Sequence, residues 1–444
     1  MLTHTRPSRA GTGRLASVLA MRGGQARPEA PFVIEHREAL IYMLCLAAEL
    51  EHSIMCQYLY AAFSLKQAES EHVSAAQLQT IERWRNSVSH VATQEMLHLT
   101  LVQNLLTSIG AAPHLSRPNL PPPPGHYPST ILLTLMPFGE QALRHFMFLE
   151  RPEGMQLDDA EGLRAVERAT PVMHPGQLVP QMQDFATVGH LYRSIEDGLR
   201  GLTSKYGEST LFCGPRRAQA ASASFGWKEL VQVSDLASAL KAIDVIVEQG
   251  EGPRGDWRTA HFGQFVSILD EYLAMRGEDP RFEPARPVLP ANVRAREREM
   301  PLAMISDPNT ARCTDLFNVT YEILLLVLQR YFAHTEETDA QLQVLVDVAL
   351  GLMFEAIKPL GQLITRLPIG PEHPRMTAGP SFELFYESDY VLPHRKAAWI
   401  VLSERLRDAR EYCERLRTAD AAVADSLGPV SASLAKFAIA LAAN

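Results

Sequence analysis

Two side chains in the stretch QEMLHL, residues 94–99, have the type and spacing to bind a metal ion. Glu95 and His98 are three residues apart, so they project from one face of a helix. The same face carries apolar side chains, namely Val91, Ala92, Leu99, Val102 and Leu106. Because a buried charge is costly unless it is paired or binds a metal, the pair indicates an internal ion pair or a metal site.

A matching carboxylate lies in the preceding segment, AELEHSIMCQYLYA, residues 48–61. Glu51 shares an apolar face with Tyr58, and in an antiparallel helix pair it would lie at the level of Glu95. One carboxylate from one helix and Glu-x-x-His from its partner make half of a di-iron carboxylate site, and these donors suit iron or manganese. The alternative is that Glu51, Glu95 and His98 are satisfied core residues. Tyr58 is the candidate catalytic residue, as a donor of a proton or an electron, with packing as the alternative.

The third helix of such a site is less regular. In FATVGHLYRSIEDGL, residues 185–199, an apolar stripe runs along one face of the predicted helix. Glu196 falls on this stripe and is the predicted metal ligand of the third helix. The alternative is a surface charge beside Arg193 and Arg200.

The fourth helix lacks the expected Glu-x-x-His and ends instead in EQGE. Glu248 and Glu251 are therefore alternative metal ligands of nearly equal rank. We expect this helix to break at Gly250 and Gly252 and to resume in HFGQF, so that His261 reaches the metal. The alternative is an acidic helix end followed by a core histidine.

Helical periodicity dominates after residue 35. Two helices, a long Pro-rich crossover and two further helices are the order of a ferritin-like four-helix bundle, so the predicted fold class is all-α with additional C-terminal helices. The predicted domains are a disordered tail (1–32), a metal-binding bundle (33–280) with a crossover insertion (111–180), and a C-terminal helical extension packed on the bundle (281–444). The predicted helices are 38–66, 76–109, 139–150, 183–202, 234–249, 260–276, 315–334, 340–366, 395–417 and 429–442. STILLTLMP, residues 129–137, is the one convincing strand signal.

Composition limits the class of protein. The chain has 444 residues, of which 46% are apolar and 21% charged, as in ordinary globular proteins. Its formal charge of -9 argues against a dedicated nucleic-acid surface, and no apolar run reaches the roughly 18 residues of a membrane span. Five widely spaced cysteines without CxxC indicate reduced thiols and a cytoplasmic location. The Arg-, Gly- and Ala-rich first 30 residues favour a disordered tail over a mitochondrial transit peptide.

The chain resembles the ferritin-like domain named for iminophenyl-pyruvate dimer synthases. The resemblance covers about residues 33–395 and is carried, in order, by AELEHSIMCQYLYAAFSLK, QEMLHLTLVQNLLTSIGAAPHL, TVGHLYRSIEDGL, VIVEQGEG, HFGQF and AGPSFELFYESDY. That domain occurs in the violacein and rebeccamycin pathway enzymes that couple oxidised tryptophan units. The resemblance implies a carboxylate- and histidine-bound metal centre, a bacterial origin and a role in specialised metabolism. Those enzymes are much longer chains, so it does not imply their coupling activity.

The predicted function is a non-haem di-iron oxidase or oxygenase that uses dioxygen or peroxide on an amino-acid-derived amine or imine. The alternative is a non-redox metal-binding or scaffold protein of a biosynthetic complex. Two iron ions per chain are the expected cofactor, with manganese as an alternative. Haem also stays open, because this domain is associated with haem in the indole pathways, although the chain has no CxxCH.

The expected partners are a small-molecule substrate and an oxidant, without nucleic acid or membrane; a homodimer stays open. We expect the crossover and the C-terminal helices to form the walls of a substrate pocket, because long ordered loops often serve this way. Four histidines of the crossover are candidates to line it, with a surface position as the alternative: His114, His126, His145 and His174.

Overall fold

The computed structural model describes residues 32–128, 131–161, 163, 173–174, 176–252, 256–294, 303–386, 391 and 393–444. Within these ranges the chain is helical, which confirms the all-α fold class. The main helices, α1 to α11, are Arg37–Ser64, Ala75–Ser108, Glu140–Leu149, Val188–Tyr206, Leu236–Gly250, His261–Glu278, Pro308–Phe332, Asp339–Leu352, Lys358–Ile364, Arg395–Ala419 and Ala421–Ala442. A π-helical turn, Met353–Ile357, joins α8 to α9.

The first two helices form the long hairpin that the periodicity predicts. Helix α2 begins at a capping box, in which the Gln77 N–H donates to Ser74 Oγ at 3.2 Å and the Ser74 N–H donates to Gln77 Oε1 at 2.8 Å. Helix α1 contacts α2, α4 and α9. It is therefore buried on nearly all sides, which explains why apolar residues surround it almost completely.

The remaining bundle helices complete the arrangement around α1 and α2. Helix α4 packs against α1 and α5, and α5 packs against α2. Gly252 follows α5 with φ +93°, and a Cβ there would lie 2.5 Å from the Asp256 carbonyl oxygen, so a side chain is excluded at this break. The chain resumes in α6, which packs against the crossover helix α3. The fourth helix is thus split in two, as predicted.

The predicted strand at 129–137 is wrong for its described part. Residues 131–137 are extended and alternate between more and less buried positions, yet they pair with no other strand in the described chain. Their backbone is bound by side chains of α1 instead: the Thr134 N–H donates to Gln57 Oε1 at 3.2 Å, and just beyond, the Phe138 N–H donates to Ser64 Oγ at 2.9 Å. Residues 129 and 130 lie outside the described residues.

Three predicted helix starts are shifted, each towards a residue that caps the helix. Helix α4 begins after Thr187 rather than at 183, α7 begins after Asp307 rather than at 315, and α11 begins after Asp420 rather than at 429. In each case the side chain of the capping residue accepts a backbone N–H of the first turn. Pro429, which suggested a helix start, lies inside α11, where Leu427 and Val430 are fully buried.

The C-terminal helices contact the bundle through close approaches. A Cβ on Gly361 of α9 would lie 2.6 Å from the ring of Phe63 on α1, so glycine is required at this crossing. Arg117 of the crossover donates to the Phe382 carbonyl oxygen at 2.6 Å, which ties the crossover to the segment AGPSFELFYESDY. The domain boundaries within the chain stay a prediction.

Two helical runs are long and apolar enough to cross a membrane, judged by length and composition. They are Arg37–Ser64 and Asp339–Ile364, whose most apolar windows are 78% and 44% buried inside the protein. The first run is buried to the degree expected of a core helix. The absence of a membrane partner stays a prediction.

Candidate metal centre

Five buried side chains with metal-binding atoms converge in the bundle, and we call them the donor cluster. Helix α1 supplies Glu51, and α2 supplies Glu95 and His98. Glu150 follows the last residue of α3, and His261 is the first residue of α6. Each is at most 6% exposed to solvent, so the cluster is closed off from bulk water.

Glu95 lies at the middle of the donor cluster. Its Oε2 atom is 2.9 Å from His98 Nδ1, and its Oε1 atom is 2.8 Å from His261 Nδ1. Glu51 Oε2 lies 3.7 Å from His98 Nδ1, and Glu150 Oε2 lies 3.7 Å from His261 Nδ1. Two groups of three donor atoms result, each within 4.8 Å, and they share Glu95. We call the Glu51–His98 side the first half-site and the Glu150–His261 side the second.

Glutamine side chains orient both imidazole rings. His98 Nε2 is 3.0 Å from Gln249 Oε1, and His261 Nε2 is 3.2 Å from Gln94 Oε1. An amide oxygen can only accept, so each Nε2 carries the hydrogen and donates it. Each Nδ1 therefore directs its lone pair towards Glu95 when the ring is neutral, which is the form that binds metals.

Tyrosine hydroxyls orient the two outer carboxylates. The Tyr192 hydroxyl donates to Glu51 Oε1 at 2.5 Å, and the Tyr58 hydroxyl donates to Glu150 Oε1. Burial, with the nearby carboxylates, raises the pKa of both phenols well above its ordinary value, so they stay protonated donors. The second oxygen of each carboxylate is left facing the histidine of its own half-site.

The donor cluster fits a pair of hard divalent cations. Glu95 Oε1 and His261 Nδ1 are buried and, within the described chain, have no hydrogen-bond partner, although they lie 2.8 Å apart. The two atoms are close but not aligned with one another, as expected for ligands directed at a common third atom. Three carboxylates and two imidazoles are a donor set suited to iron or manganese.

Burial and mutual charge shift the acid–base equilibria of the cluster. Burial, with the charge of Glu95, raises the pKa of Glu51 to about 8. Burial disfavours the imidazolium of His261, but the Glu95 and Glu150 carboxylates outweigh it and raise the pKa of His261 to about 9. Burial also disfavours the charge of Glu95, yet the two imidazolium groups lower the pKa of Glu95 far below its usual range. Protons or metal ions must therefore balance these carboxylates.

The structure places three of the predicted ligands elsewhere. Glu196 is partly exposed and bonded to Arg200, 2.6 Å away, because it follows Ile195 by one residue and so turns off the buried stripe. Glu248 is exposed on α5. Glu251 is buried and accepts the Glu153 N–H at 3.1 Å.

Glu251 packs against the start of α4 and is not part of the donor cluster. A Cβ on Gly189, in the segment TVGHLY, would overlap the Glu251 carboxylate, so this carboxylate fills the space that a side chain at residue 189 would occupy. The Gly189 backbone also donates to this carboxylate. Burial nevertheless dominates and raises the pKa of Glu251 to about 7.

Four residues around the cluster were missed by the sequence interpretation: Glu150, Gln94, Gln249 and Tyr192. The two glutamines lie inside QEMLHL and EQGE, next to the predicted ligands, so their position was a usable signal. Tyr192 was identified only as part of the apolar stripe. Glu150 follows a short helix in the crossover, and no periodic pattern marks it.

The crossover histidines form separate contacts. His114 and His126 both bond to Glu49, at 2.8 and 2.6 Å, near the surface. His145 is buried between Asp159, at 2.8 Å, and Gln57, at 3.1 Å, whereas His174 is exposed. That they line a substrate pocket stays a prediction.

Comparison with known proteins gives three findings. A family model described as ferritin-like matches residues 44–270. The chain is 27% identical over 421 residues to dichlorochromopyrrolate synthase of Lentzea aerocolonigenes, covering 85% of this chain and 39% of that protein. It is 26% identical over 385 residues to 2-imino-3-(indol-3-yl)propanoate dimerase of Chromobacterium violaceum, covering 82% of this chain and 36% of that protein.

The matches therefore span less than two fifths of each of these relatives. A crystal structure of a ferritin-like protein from Caulobacter vibrioides aligns with a TM-score of 0.49 at 17% identity, over 75% of this chain and 96% of that one.

Proposed function

The chain belongs to the ferritin-like family, and from that premise we propose that it is a non-haem di-iron enzyme of specialised metabolism. The observation that carries the proposal is Glu95, whose two carboxylate oxygens each face a different histidine within 3 Å. Glu95 would therefore help to hold a metal ion in each of the two half-sites. The donors of the first half-site would be Glu51 and His98, and those of the second would be Glu150 and His261.

Two iron ions held there would supply the electrons and open coordination positions for reducing dioxygen or peroxide. The protein's own part is to orient the donors before metal binds. Gln249 and Gln94 hold the imidazoles with Nδ1 directed inwards, and Tyr192 and Tyr58 hold one oxygen of each outer carboxylate. Burial of every donor excludes water, which strengthens each electrostatic interaction in the site.

The substrate class follows from the relatives. Their names describe the synthesis of dichlorochromopyrrolate and the dimerisation of 2-imino-3-(indol-3-yl)propanoate. We extend to this chain only the shared feature of a nitrogen-bearing, amino-acid-derived carbon skeleton. The proposed reaction is the oxidation or oxygenation of such an amine or imine.

Elemental analysis of anaerobically purified, iron-loaded protein tests this function. The wild type should hold about two iron ions per chain, and Glu95→Gln should hold close to none, because the substitution removes a charged donor from both half-sites. Glu248→Gln is the matched control, since it removes a sequence-predicted ligand that lies on the exposed side of α5. Thermal unfolding by circular dichroism must show that the variants are folded.

A second function, a non-redox scaffold in a biosynthetic complex, is favoured by one observation. Protons alone can satisfy the cluster, since Glu51, with its pKa of about 8, is neutral at pH 7 and Glu95 lies between two imidazolium groups. A wild type that stays free of iron and manganese after loading with either, with a melting temperature unaffected by the metals, would support the scaffold and rule out the enzyme.

A further inference from the structure

A cavity of ≈ 260 Å³ lies on another side of the α1–α2 hairpin, facing the C-terminal helices. Its walls come from α1, α2, α7 and the π-helical turn. None of the five donors of the donor cluster lines it. Met55 and Leu99, which lie on α1 and α2 near those donors, do line it, so the hairpin separates the cavity from the donor cluster. The inference below is therefore independent of the proposed metal centre.

The inner wall of this cavity is apolar and rich in rings. Phe225, Trp227, Tyr321 and Phe332 line it together with leucines of α1 and α7. Its volume is close to the lower end of the range of small-molecule sites, about 300–1,000 Å³. Such a space suits a compact molecule of one or two rings.

The charge of the cavity wall has one sign. The lining includes Arg85, His90 and Lys358, and no Asp or Glu occurs among the described residues that line it. This bias is notable in a chain that has 51 acidic and 42 Lys or Arg residues. Within the described chain Lys358 makes no ion pair and no hydrogen bond from its side chain, so its ammonium is available to a ligand.

The π-helical turn places two of the lining residues. Met353–Ile357 has one residue more per turn than an α-helix, and Lys358 follows it directly. Phe354 lies in this turn, lines the cavity and is 60% exposed, an unusual position for a large aromatic side chain. An apolar side chain and a free cation are thus presented together at the entrance, in a local geometry that is often found at functional sites.

We propose that this cavity binds a compact, ring-bearing organic anion. The ring system would occupy the apolar interior, and the carboxylate, or a similar anionic group, would be bound by Lys358 and Arg85. Arg85 is only loosely held otherwise, by the Lys66 carbonyl oxygen at 3.3 Å and by Glu82 at 4.0 Å. Charge-assisted bonds to an anion would be stronger than either of these contacts.

A matched pair of two-ring probes tests the proposal by isothermal titration calorimetry: naphthalene-2-sulfonate and naphthalene-2-sulfonamide, which has the same rings without the negative charge. The wild type should bind the sulfonate at one saturable site. Lys358→Gln combined with Arg85→Gln should lower the affinity for the sulfonate about tenfold or more. The affinity for the neutral probe should change less than about twofold. Leu324→Trp, which fills the cavity, should abolish binding of both probes.

Arg281→Gln is the control, because Arg281 is 95% exposed and lies outside the cavity. Circular dichroism melting must show that each variant is folded, since aromatic sulfonates also bind the exposed apolar surface of partly folded chains. Equal affinity of the sulfonate for the wild type and the Lys358/Arg85 variant would overturn the anion site. Undiminished binding to a folded Leu324→Trp protein would overturn the cavity as the site. Metal content measured on the same samples keeps this result separate from that for the donor cluster.

Discussion

The two half-sites contain the same groups but are built in different ways. In each, a tyrosine hydroxyl donates to the outer glutamate and a histidine donates to a glutamine. One oxygen of Glu95 faces the histidine of each half-site. The donors of the first half-site come from two long helices that pack along each other. The donors of the second follow a ten-residue helix in the crossover and begin a helix after a break. The two half-sites therefore hold the same kinds of donor on helices of different length and connection.

The first half-site is therefore set by the packing of two neighbouring helices, whereas the second needs the whole crossover in place. Glu51 and the pair Glu95 and His98 are fixed once the α1–α2 hairpin forms. Glu150 and His261 meet only when α3 packs against α6.

Paired removal of the outer donors should separate the half-sites. Glu51→Ala/His98→Ala and Glu150→Ala/His261→Ala should each reduce the iron content from about two ions per chain to about one, because Glu95 and the donors of the other half-site remain. Elemental analysis after anaerobic loading measures this. Complete loss of metal from both variants would show that the half-sites act as one unit and contradict the comparison.

Glu251→Gln should change stability without changing metal content. The pKa of Glu251 is raised from 4.5 to about 7, so the folded protein binds this proton more tightly than the unfolded chain does. Its contribution to stability is fully present below pH 4.5 and is lost as the pH rises through about 7, and it amounts to about 3 kcal/mol at most. Urea unfolding across pH 4–8 should show that the free energy of unfolding of the wild type falls as the pH rises. In Glu251→Gln this fall should be smaller by up to about 3 kcal/mol.

The control for this result is Glu248→Gln, which replaces the exposed glutamate of the same segment and should change the free energy of unfolding by less than about 0.5 kcal/mol. A loss of iron from Glu251→Gln would contradict the structure and restore Glu251 as a ligand. The same pair of variants thus decides between the two glutamates of EQGE, which the sequence alone left open.

The sequence predicts the first half-site better than the second. Apolar periodicity located α1 and α2, and with them Glu51, Glu95 and His98, because a long amphipathic pattern reports which face is buried. The pattern cannot resolve one residue of rotation, so it assigns Glu196 to the buried stripe, although Ile195, one position earlier, is the buried residue. Glu150 lies where a helix ends, a position that tertiary packing alone determines.

The extended segment 131–137 shows a similar limit. The sequence predicts a strand here, and residues 131–137 are indeed extended, but the pattern does not reveal which groups bond the backbone. Side chains of α1, such as Gln57, do so in place of a neighbouring strand. The local pattern thus predicted an extended backbone and not its hydrogen-bond partners.

Removal of the glutamine contacts should have a smaller effect that is confined to one half-site. Gln249→Met and Gln94→Met keep the side-chain volume but remove the acceptor of the His98 and His261 Nε2–H, respectively. Outer contacts of this kind typically change metal affinity by 10–100-fold. Competition with a graded series of chelators should show one weakened ion and one unchanged ion in each variant. Equal weakening of both ions would argue against independent half-sites.

The smallest effect is expected from the tyrosines, and it should differ between the half-sites in metal-free protein. Glu51 is neutral at pH 7 because burial raises its pKa to about 8, so Tyr192→Phe removes a hydrogen bond between neutral groups, worth about 1 kcal/mol of unfolding free energy. The Tyr58 bond to Glu150 lies beside the imidazolium of His261. Tyr58→Phe therefore removes a hydrogen bond next to a charged group and should cost about 2 kcal/mol, since such bonds are stronger. Urea unfolding at pH 7 and again at pH 9 measures the loss of unfolding free energy in each of the two variants. At pH 9, above the pKa of Glu51, the Glu51 carboxylate is charged, so the cost of Tyr192→Phe should rise towards that of Tyr58→Phe. A difference that persists would show that the protonation of Glu51 does not distinguish the half-sites.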